Sequence, residues 1–415
     1  MEQYDVVIIG GGPAGLFCAI HAAAPGNRVL VLEKNSRPGA KLLVAGSGQC
    51  NITHDGDIRD FFLHYGNHAK QVKPALLSFT NRDLIAFFQE HGLVMTTEET
   101  GKVFPTTRQS ADVLAVLEQA CRERGVEVRC GQPVTGISRD PEGFTISLQS
   151  GTCRSTVLVI ATGGASYPKT GSTGDGYRFC ESLGQPLTER APALTPLLIQ
   201  EFPFAALMGI SFENMHFSVW RGGKKIADHT GDVLFTHLGL SGPGILDASR
   251  GILPGDEIRL SFVGSLKRDG FAADLAKRTQ ENQGWQVRTL LAAYPIPERL
   301  NRRLLKITGI PDDLTCAHFS AAQRSKLVAN CTEFPLIVTA PGGYAVAMVT
   351  RGGVALDGVN LKTMESKTIP GLFFAGEVLD IDGDTGGYNL QAAFSTGFLA
   401  AQGIQKRRDA GLPPS

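Results

Sequence analysis

Tyr4-Asp5-Val6-Val7-Ile8-Ile9, followed at once by Gly10-Gly11-Gly12-Pro13-Ala14-Gly15, decides the fold. The first six residues read as a short buried strand rich in β-branched side chains. Glycines then occupy the three fixed positions of G-x-G-x-x-G. Gly10 permits a tight turn, Gly12 lets the backbone approach a pyrophosphate, and Gly15 lets a helix pack closely on the strand. Pro13 and Ala14 open an apolar helix whose N-terminal amides would face the anion. A second strand, Arg28-Val29-Leu30-Val31-Leu32, runs into Glu33-Lys34. Glu33 lies 18 residues beyond Gly15, near where an acid accepts hydrogen bonds from ribose hydroxyls. The glycine pattern alone marks no more than a turn. Strand, glycines, helix, strand and terminal acid in this order point to a bound dinucleotide.

The bulk composition narrows the class. The chain has 415 residues, more than one compact core, and suggests two or three domains. Lys plus Arg and Asp plus Glu are both 40, so the formal net charge is zero. That weighs against a large electrostatic footprint for nucleic acid or an anionic membrane. None of the eight cysteines forms a C-x-x-C pair, and several sit in apolar patterns where a thiol acts as a small hydrophobe. No charged leader precedes an apolar segment, and no apolar run reaches the length of about 18 residues that spans a bilayer. The expectation is a cytoplasmic protein with a small-molecule substrate, no nucleic acid and no membrane.

Residues 34–56 form a long glycine-bearing loop, a length that is usually functional inside a domain. Helical periodicity returns over about 70–92 and again over Ser110 to Arg124, with Gly125 as a stop. Strand patterns follow at 126–130, 134–138 and 143–149. Val157 to Ile160 then leads into the turn Ala161-Thr162-Gly163-Gly164. From about 192 short β-like runs dominate, with a hairpin expected across Gly222-Gly223. From about 267 the chain turns helical and polar. Apolar strands return after 335, and a helix from about Gly387 to Gln402 closes the sheet domain. The expected fold is α/β. A Rossmann-like domain of parallel sheet plus β-meander occupies residues 1–191 and 336–415. A β-rich insert that sets substrate access occupies 192–266, taking in part of 320–350, and a small helical domain occupies 267–335.

Three separated segments now agree: the N-terminal fingerprint, the Ala161-Thr162-Gly163 turn, and Thr368 through Phe373-Phe374-Ala375-Gly376 to Glu377. This set resembles the glutathione-reductase-like class of FAD proteins, whose last acid holds the ribityl chain. Pro38 to Thr53, Gly171 to Gly176, Leu234 to Pro243, Thr363 to Lys367 and Gly376 to Leu390 carry a closer resemblance, to the BaiN-like and aminoacetone-oxidase-like family of bacterial flavoproteins. The resemblance implies FAD as cofactor. Its contacts would then include Gly10, Gly12, Pro13, Ala14, Gly15, Glu33 and Lys34 at the adenosine and pyrophosphate end, with Val134, Ala161, Thr162 and Gly163. Lys41, Leu42, Gly48, Cys50, Asn51, Gly376, Glu377, Gly387, Tyr388, Asn389 and Leu390 would complete the set toward the ring. The chain departs from the family pattern where Ala40 and Gln49 replace arginines and Ser47 replaces a glycine. Gln lacks the cationic fork that Arg offers a carboxylate. Arg351 either supplies a cation in their place or is a solvated loop residue.

Several chemistries can be weighed on residue type. The turn Asp384 to Leu390 precedes the last helix, and its amides would face the flavin edge where charge accumulates on reduction. Cys50 has no second cysteine nearby for disulfide exchange, so a packing and hydrogen-bonding role is expected. Lys41 contacts pyrophosphate, flavin or solvent. Asp380, Asp382 and Asp384 fail the calcium-loop pattern at Thr385 and Gln391, and no metal is expected. His54, His64 and His68 read as surface residues. His237 and Tyr167 are the candidates for proton transfer, against structural roles for both. No second nucleotide fingerprint follows a strand. NAD(P)H therefore docks transiently over the flavin, or the electrons leave to oxygen or another carrier.

The leading expectation is a hydride transfer between a small organic substrate and flavin N5. One version reduces a C=C bond conjugated to a carbonyl, and another oxidises an amine with oxygen. RNA modification, suggested by Arg299, Arg302, Arg303 and Lys306 on one helix, and a non-catalytic flavin-binding role are the alternatives from other classes.

Overall fold

The computed structural model describes residues 1–411. It divides into two compact units, Met1–Ala193 with the chain from Ala347 onward, and Leu194–Val346. The first unit is built on a sheet whose central strands run parallel in the order Leu372–Phe374, Gly151–Ile160, Glu2–Ile9, Val29–Leu32, Glu127–Arg129. Val7, Ile8, Leu30, Val31, Leu158, Val159 and Ile160 are all fully buried. Covered on both faces, these strands read as continuous apolar runs without alternation. The meander appears as Val134–Asp140 antiparallel to Gly143–Leu148, which in turn pairs antiparallel with Gly151–Ile160.

The register positions the site. Ile9 pairs with Leu32 on one side and Ile160 on the other, and Ile160 pairs with Phe374. Four strands therefore end level. The residues just past those ends, Gly10, Glu33, Ala161 and Ala375, share one edge, the carboxyl edge where open α/β sheets take ligands.

Helix Pro13–Ala22 packs against the long helix Tyr388–Asp409 through small residues; a Cβ on Gly397 would lie 2.5 Å from the Ala14 carbonyl oxygen. Phe17 then meets Phe79, Phe87 and Phe394 edge-on at 5.0, 4.9 and 5.2 Å. The periodic stretch 70–92 folds as two helices, Ala69–Ser78 and Asn81–Glu90. Thr80 and Asp83 form a capping box at the break, so hydroxyl and carboxylate satisfy the amides that a continuous helix would have used.

The second unit holds a closed barrel in the order Leu197–Ile199, Gly239–Ser241, Lys224–Phe235, Ser211–Arg221, Glu257–Leu260, Phe334–Pro341. The hairpin across Gly222-Gly223 pairs Arg221 with Lys224 and is far longer than the short runs of the sequence suggested. Helices Arg268–Glu281, Val287–Leu291, Glu298–Thr308 and Ala321–Thr332 follow before the last barrel strand. Barrel and helices share one hydrophobic cluster that includes Phe204, Phe235, Phe262, Leu275 and Leu304. The β-rich and helical pieces expected as separate domains thus pack as one unit. On helix Glu298–Thr308 the three arginines are engaged locally. Arg299 donates to the Ala206 carbonyl at 2.8 Å, Arg303 to the Pro203 carbonyl at 2.8 Å, and Arg302 pairs with Glu298. No helix among the described residues is long and apolar enough to cross a membrane.

Candidate functional site

A glycine turn joins strand Glu2–Ile9 to helix Pro13–Ala22. Gly10 sits at φ +111°, and a Cβ there would lie 2.4 Å from the Ala161 carbonyl oxygen; a Cβ on Gly15 would lie 2.0 Å from the Gly10 oxygen. Both glycines are fixed by close packing of backbone on backbone. Gly12 differs: a Cβ there would meet nothing within 4 Å. It faces open space in front of helix Pro13–Ala22, which begins at Gly12 without a side-chain cap. First-turn amides left without a capping side chain, beside an opening that only a glycine keeps clear, fit a pyrophosphate.

Glu33 stands beside the cradle, buried, its two oxygens accepting from the Gly11 and Asn35 amides at 2.8 Å each. The carboxylate is thereby aimed at the same edge as Gly12. Val134 begins the meander next to this corner, where the Gln132 amide donates to the Glu33 carbonyl at 3.0 Å. Lys34 turns away to Thr173 and Asp175, both at 2.6 Å. Burial pushes the Asp175 carboxyl up, but the Lys34 ammonium and the Thr173 hydroxyl outweigh it and hold it below its usual range. If Glu33 receives a ribose, Glu33→Ala weakens FAD by about 1–3 kcal/mol, the size of lost charged hydrogen bonds. A titration giving an unchanged Kd would place the ribose elsewhere.

The second group of residues gathers around Glu377. Gly376, at φ +75°, packs against Ala14, and its amide donates to Thr396 Oγ1 at 2.9 Å. Glu377 accepts from Lys41 Nζ at 2.7 Å and from the Thr350 amide at 2.9 Å. Thr350, fully buried, also takes the Ala165 and Ser166 amides on its hydroxyl, at 2.9 and 3.1 Å. It holds the loop after Ala161-Thr162-Gly163 against Glu377. Sequence reading passed over Thr350 because an isolated threonine carries no pattern. Its neighbour Arg351 is exposed on the strand Val349–Arg351, paired with Ala191.

The loop after Lys41 and Leu42 meets the C-terminal turn. Gly387, at φ +100°, starts the last helix, and a Cβ on it would lie 2.5 Å from the Thr53 backbone. Tyr388 is buried and stacks on His64 at 3.9 Å and His54 at 5.4 Å. His64 also meets Asp384 at 3.0 Å, and His68 approaches Asp380 at 3.6 Å. These three histidines are half-buried supports of the turn, a correction to the surface reading. Their partners lie more than three hundred residues away in sequence for His64, His68 and Tyr388 alike, so no local spacing could disclose them. Asn389 clamps the turn through the Gly383 amide and carbonyl, both at 2.8 Å, and Leu390 is half-buried behind it. Among the described residues no cluster of His, Cys, Asp and Glu could hold a metal.

Within the loop, Ser47 and Cys50 adopt left-handed backbone at φ 56° and 59°, flanking Gly48 at φ 88°. Strain of this kind is held at functional sites. Asn51 Oδ1 is buried without a hydrogen-bond partner among the described residues, an acceptor that fits an imide N–H such as that of a flavin pyrimidine. Burial pushes the Cys50 thiol up to about 12. A thiol raised that far carries little thiolate, the nucleophilic form, at neutral pH. Alkylation of the native protein at pH 8 is expected to spare Cys50 and reach Cys130, the one cysteine that is not fully buried. Peptide mass mapping that found Cys50 modified first would contradict this. Tyr167 lies half-buried at φ 55° two residues past Ala165, and His237 is exposed in the second unit on the turn between Lys224–Phe235 and Gly239–Ser241.

The level strand ends, the open glycine cradle and the acid at the end of the second strand define a dinucleotide-binding protein of Rossmann type. Residues 4–403 match the family described as HI0933-like protein Rossmann domain. The chain is 30% identical over 413 residues to a ribosomal RNA dihydrouridine synthase of Escherichia coli (strain K12), covering 97% of this chain and 98% of that one. It is 30% identical over 412 residues to a 3-dehydro-bile acid delta(4,6)-reductase of Clostridium scindens, covering 96% and 98%. Among solved structures, a 3-ketosteroid-delta4-(5alpha)-dehydrogenase from Rhodococcus jostii RHA1 shares the fold with a TM-score of 0.52 at 16% identity, over 97% of this chain and 96% of that one. The chain belongs to the HI0933-like family, and with it to the FAD-dependent oxidoreductases.

Proposed function

We propose that this protein binds FAD along the carboxyl edge of its sheet and reduces a C=C bond conjugated to a carbonyl. The observation that carries the cofactor assignment is the contrast within the cradle, where Gly10 and Gly15 are closed by backbone and Gly12 alone opens outward. In this reading the amides after Gly12 take the pyrophosphate, Glu33 the adenosine ribose, and Glu377, braced by Lys41 and Thr350, the ribityl chain. Asn51 and the turn ahead of Tyr388 hold the pyrimidine edge of the ring. FAD, when bound, supplies a hydride donor and acceptor. The chain supplies the dry edge, the orientation and the proton that accompanies hydride addition, for which Tyr167, in the same unit as the cradle, is the candidate.

The reaction class is supported by the two full-length relatives. One is named for reducing a 3-dehydro-bile acid, the other for making dihydrouridine, and uridine differs from dihydrouridine by two hydrogens across a C=C bond conjugated to a carbonyl. A uracil in RNA is therefore a second reading, favoured by the match to the E. coli enzyme over nearly its whole length. The zero net charge and the engaged Arg299 and Arg303 weigh for a small molecule.

Stopped-flow mixing separates these. NADPH is expected to bleach the visible flavin band, and an added enone to restore it in the absence of oxygen. Restoration by a uridine-containing RNA alone, with retention of RNA that weakens as salt rises, would establish the second reading. No bleaching by NADPH or NADH would remove the reductase, and bleaching by a primary amine would replace it with an oxidase.

A further inference from the structure

We infer that Arg108 is a specificity-determining cation of this site, and that the substrate carries an oxyanion group, a carboxylate or a phosphate, that docks on it. The inference rests on the proposed function, in which the loop through Cys50 and Asn51 borders the flavin. Arg108 reaches that loop from a distant segment. Its Nη1 donates to Gln49 Oε1 at 3.4 Å and to Glu98 at 2.7 Å. Its guanidinium lies 4.2 Å over the Phe104 ring, and Phe104 in turn borders the loop at Gly46, where a Cβ would come within 3.9 Å of the ring.

Three features make this arginine more than a solvated side chain. First, Arg108 holds left-handed backbone at φ 54°, as do Ser47 and Cys50 on the loop it touches. These are three of eight such non-glycine residues among the described residues, brought to one place from two separate segments. Strain concentrated this way is kept where a side chain must be aimed. Second, the ring of Phe104 supports the guanidinium from one face and leaves its in-plane N–H edge free to pair. Third, both contacts made by Arg108 use Nη1. Its Nε and Nη2 make no hydrogen bond among the described residues, leaving the two-pronged side of the fork that matches a carboxylate or phosphate. The Glu98 pair is about a third exposed on each side, 36% and 36%, so it holds the arginine without committing it. Exposed Gln49 and Ser47 leave the approach open.

The test uses holoenzyme and two probe pairs, each with and without the charge: benzoylacrylate against its methyl ester, and uridine monophosphate against uridine. Binding is read from the shift of the visible flavin band. The charged member of one pair is expected to bind roughly ten- to a hundredfold more tightly, the range of one charge-assisted hydrogen-bonded pair. The carboxylate pair and the phosphate pair distinguish the two sources. Arg108→Met abolishes the preference, Arg108→Lys keeps part of it, and Glu98→Gln increases it by removing the competing carboxylate. A purely structural Arg108 would not give that opposite sign. No preference in either pair, or a preference that survives Arg108→Met, overturns the inference. A protein that holds no FAD would instead refute the proposed function, so the two failures are distinguishable.

Discussion

Gly12→Val yields a folded protein that purifies without flavin. A Cβ at Gly12 meets nothing within 4 Å beyond its chain neighbours among the described residues, so the fold has room for a side chain there. It fills the space in front of the first helix, where the phosphates must approach the amides. Losing two or so charge-assisted hydrogen bonds costs about 4 kcal/mol, roughly a thousandfold in Kd. Thermal unfolding of the variant is expected to match that of the wild-type protein stripped of cofactor. Normal flavin content in Gly12→Val would move the pyrophosphate away from this helix.

Gly10→Val, two residues away in the same motif, gives the opposite result: a failure of folding. Gly10 lies at φ +111°, which L residues rarely adopt, and its Cβ would stand 2.4 Å from the Ala161 carbonyl oxygen. That oxygen belongs to the backbone just past the buried end of a strand, Val157–Ile160, packed among neighbouring strands. Strain and overpacking together cost about 2–6 kcal/mol, a large part of the stability of an ordinary domain. The denaturation midpoint in urea is expected to fall accordingly, or the chain to collect in the insoluble fraction. An unchanged midpoint would mean that the strand ends are not packed as described. The pair of variants separates ligand space from packing inside one six-residue motif.

These outcomes follow from what was legible in the chain and what was not. The cradle could be read because its determinants are local: turn, cap and close approach each fix one glycine within a few residues. Glu33 was legible because the second strand carries it to the same edge as Gly10. The support of the C-terminal turn was hidden, since His54 and His64 stack on Tyr388 across more than three hundred residues. Thr350 was hidden for the same reason, its partners Ala165, Ser166 and Glu377 coming from two other segments. The barrel was visible only as short β-like runs. Its closure depends on pairing between Leu197–Ile199 and Phe334–Pro341, two segments separated by the entire helical stretch. Arg108 had no sequence signal at all; only the fold sets it beside Gln49.

The most direct measurement is the flavin content of the purified chain. After denaturation, chromatography of the released cofactor is expected to show FAD at close to one equivalent per chain, either as isolated or after incubation with FAD. Protein that is colourless and remains so with FAD present would contradict the whole assignment.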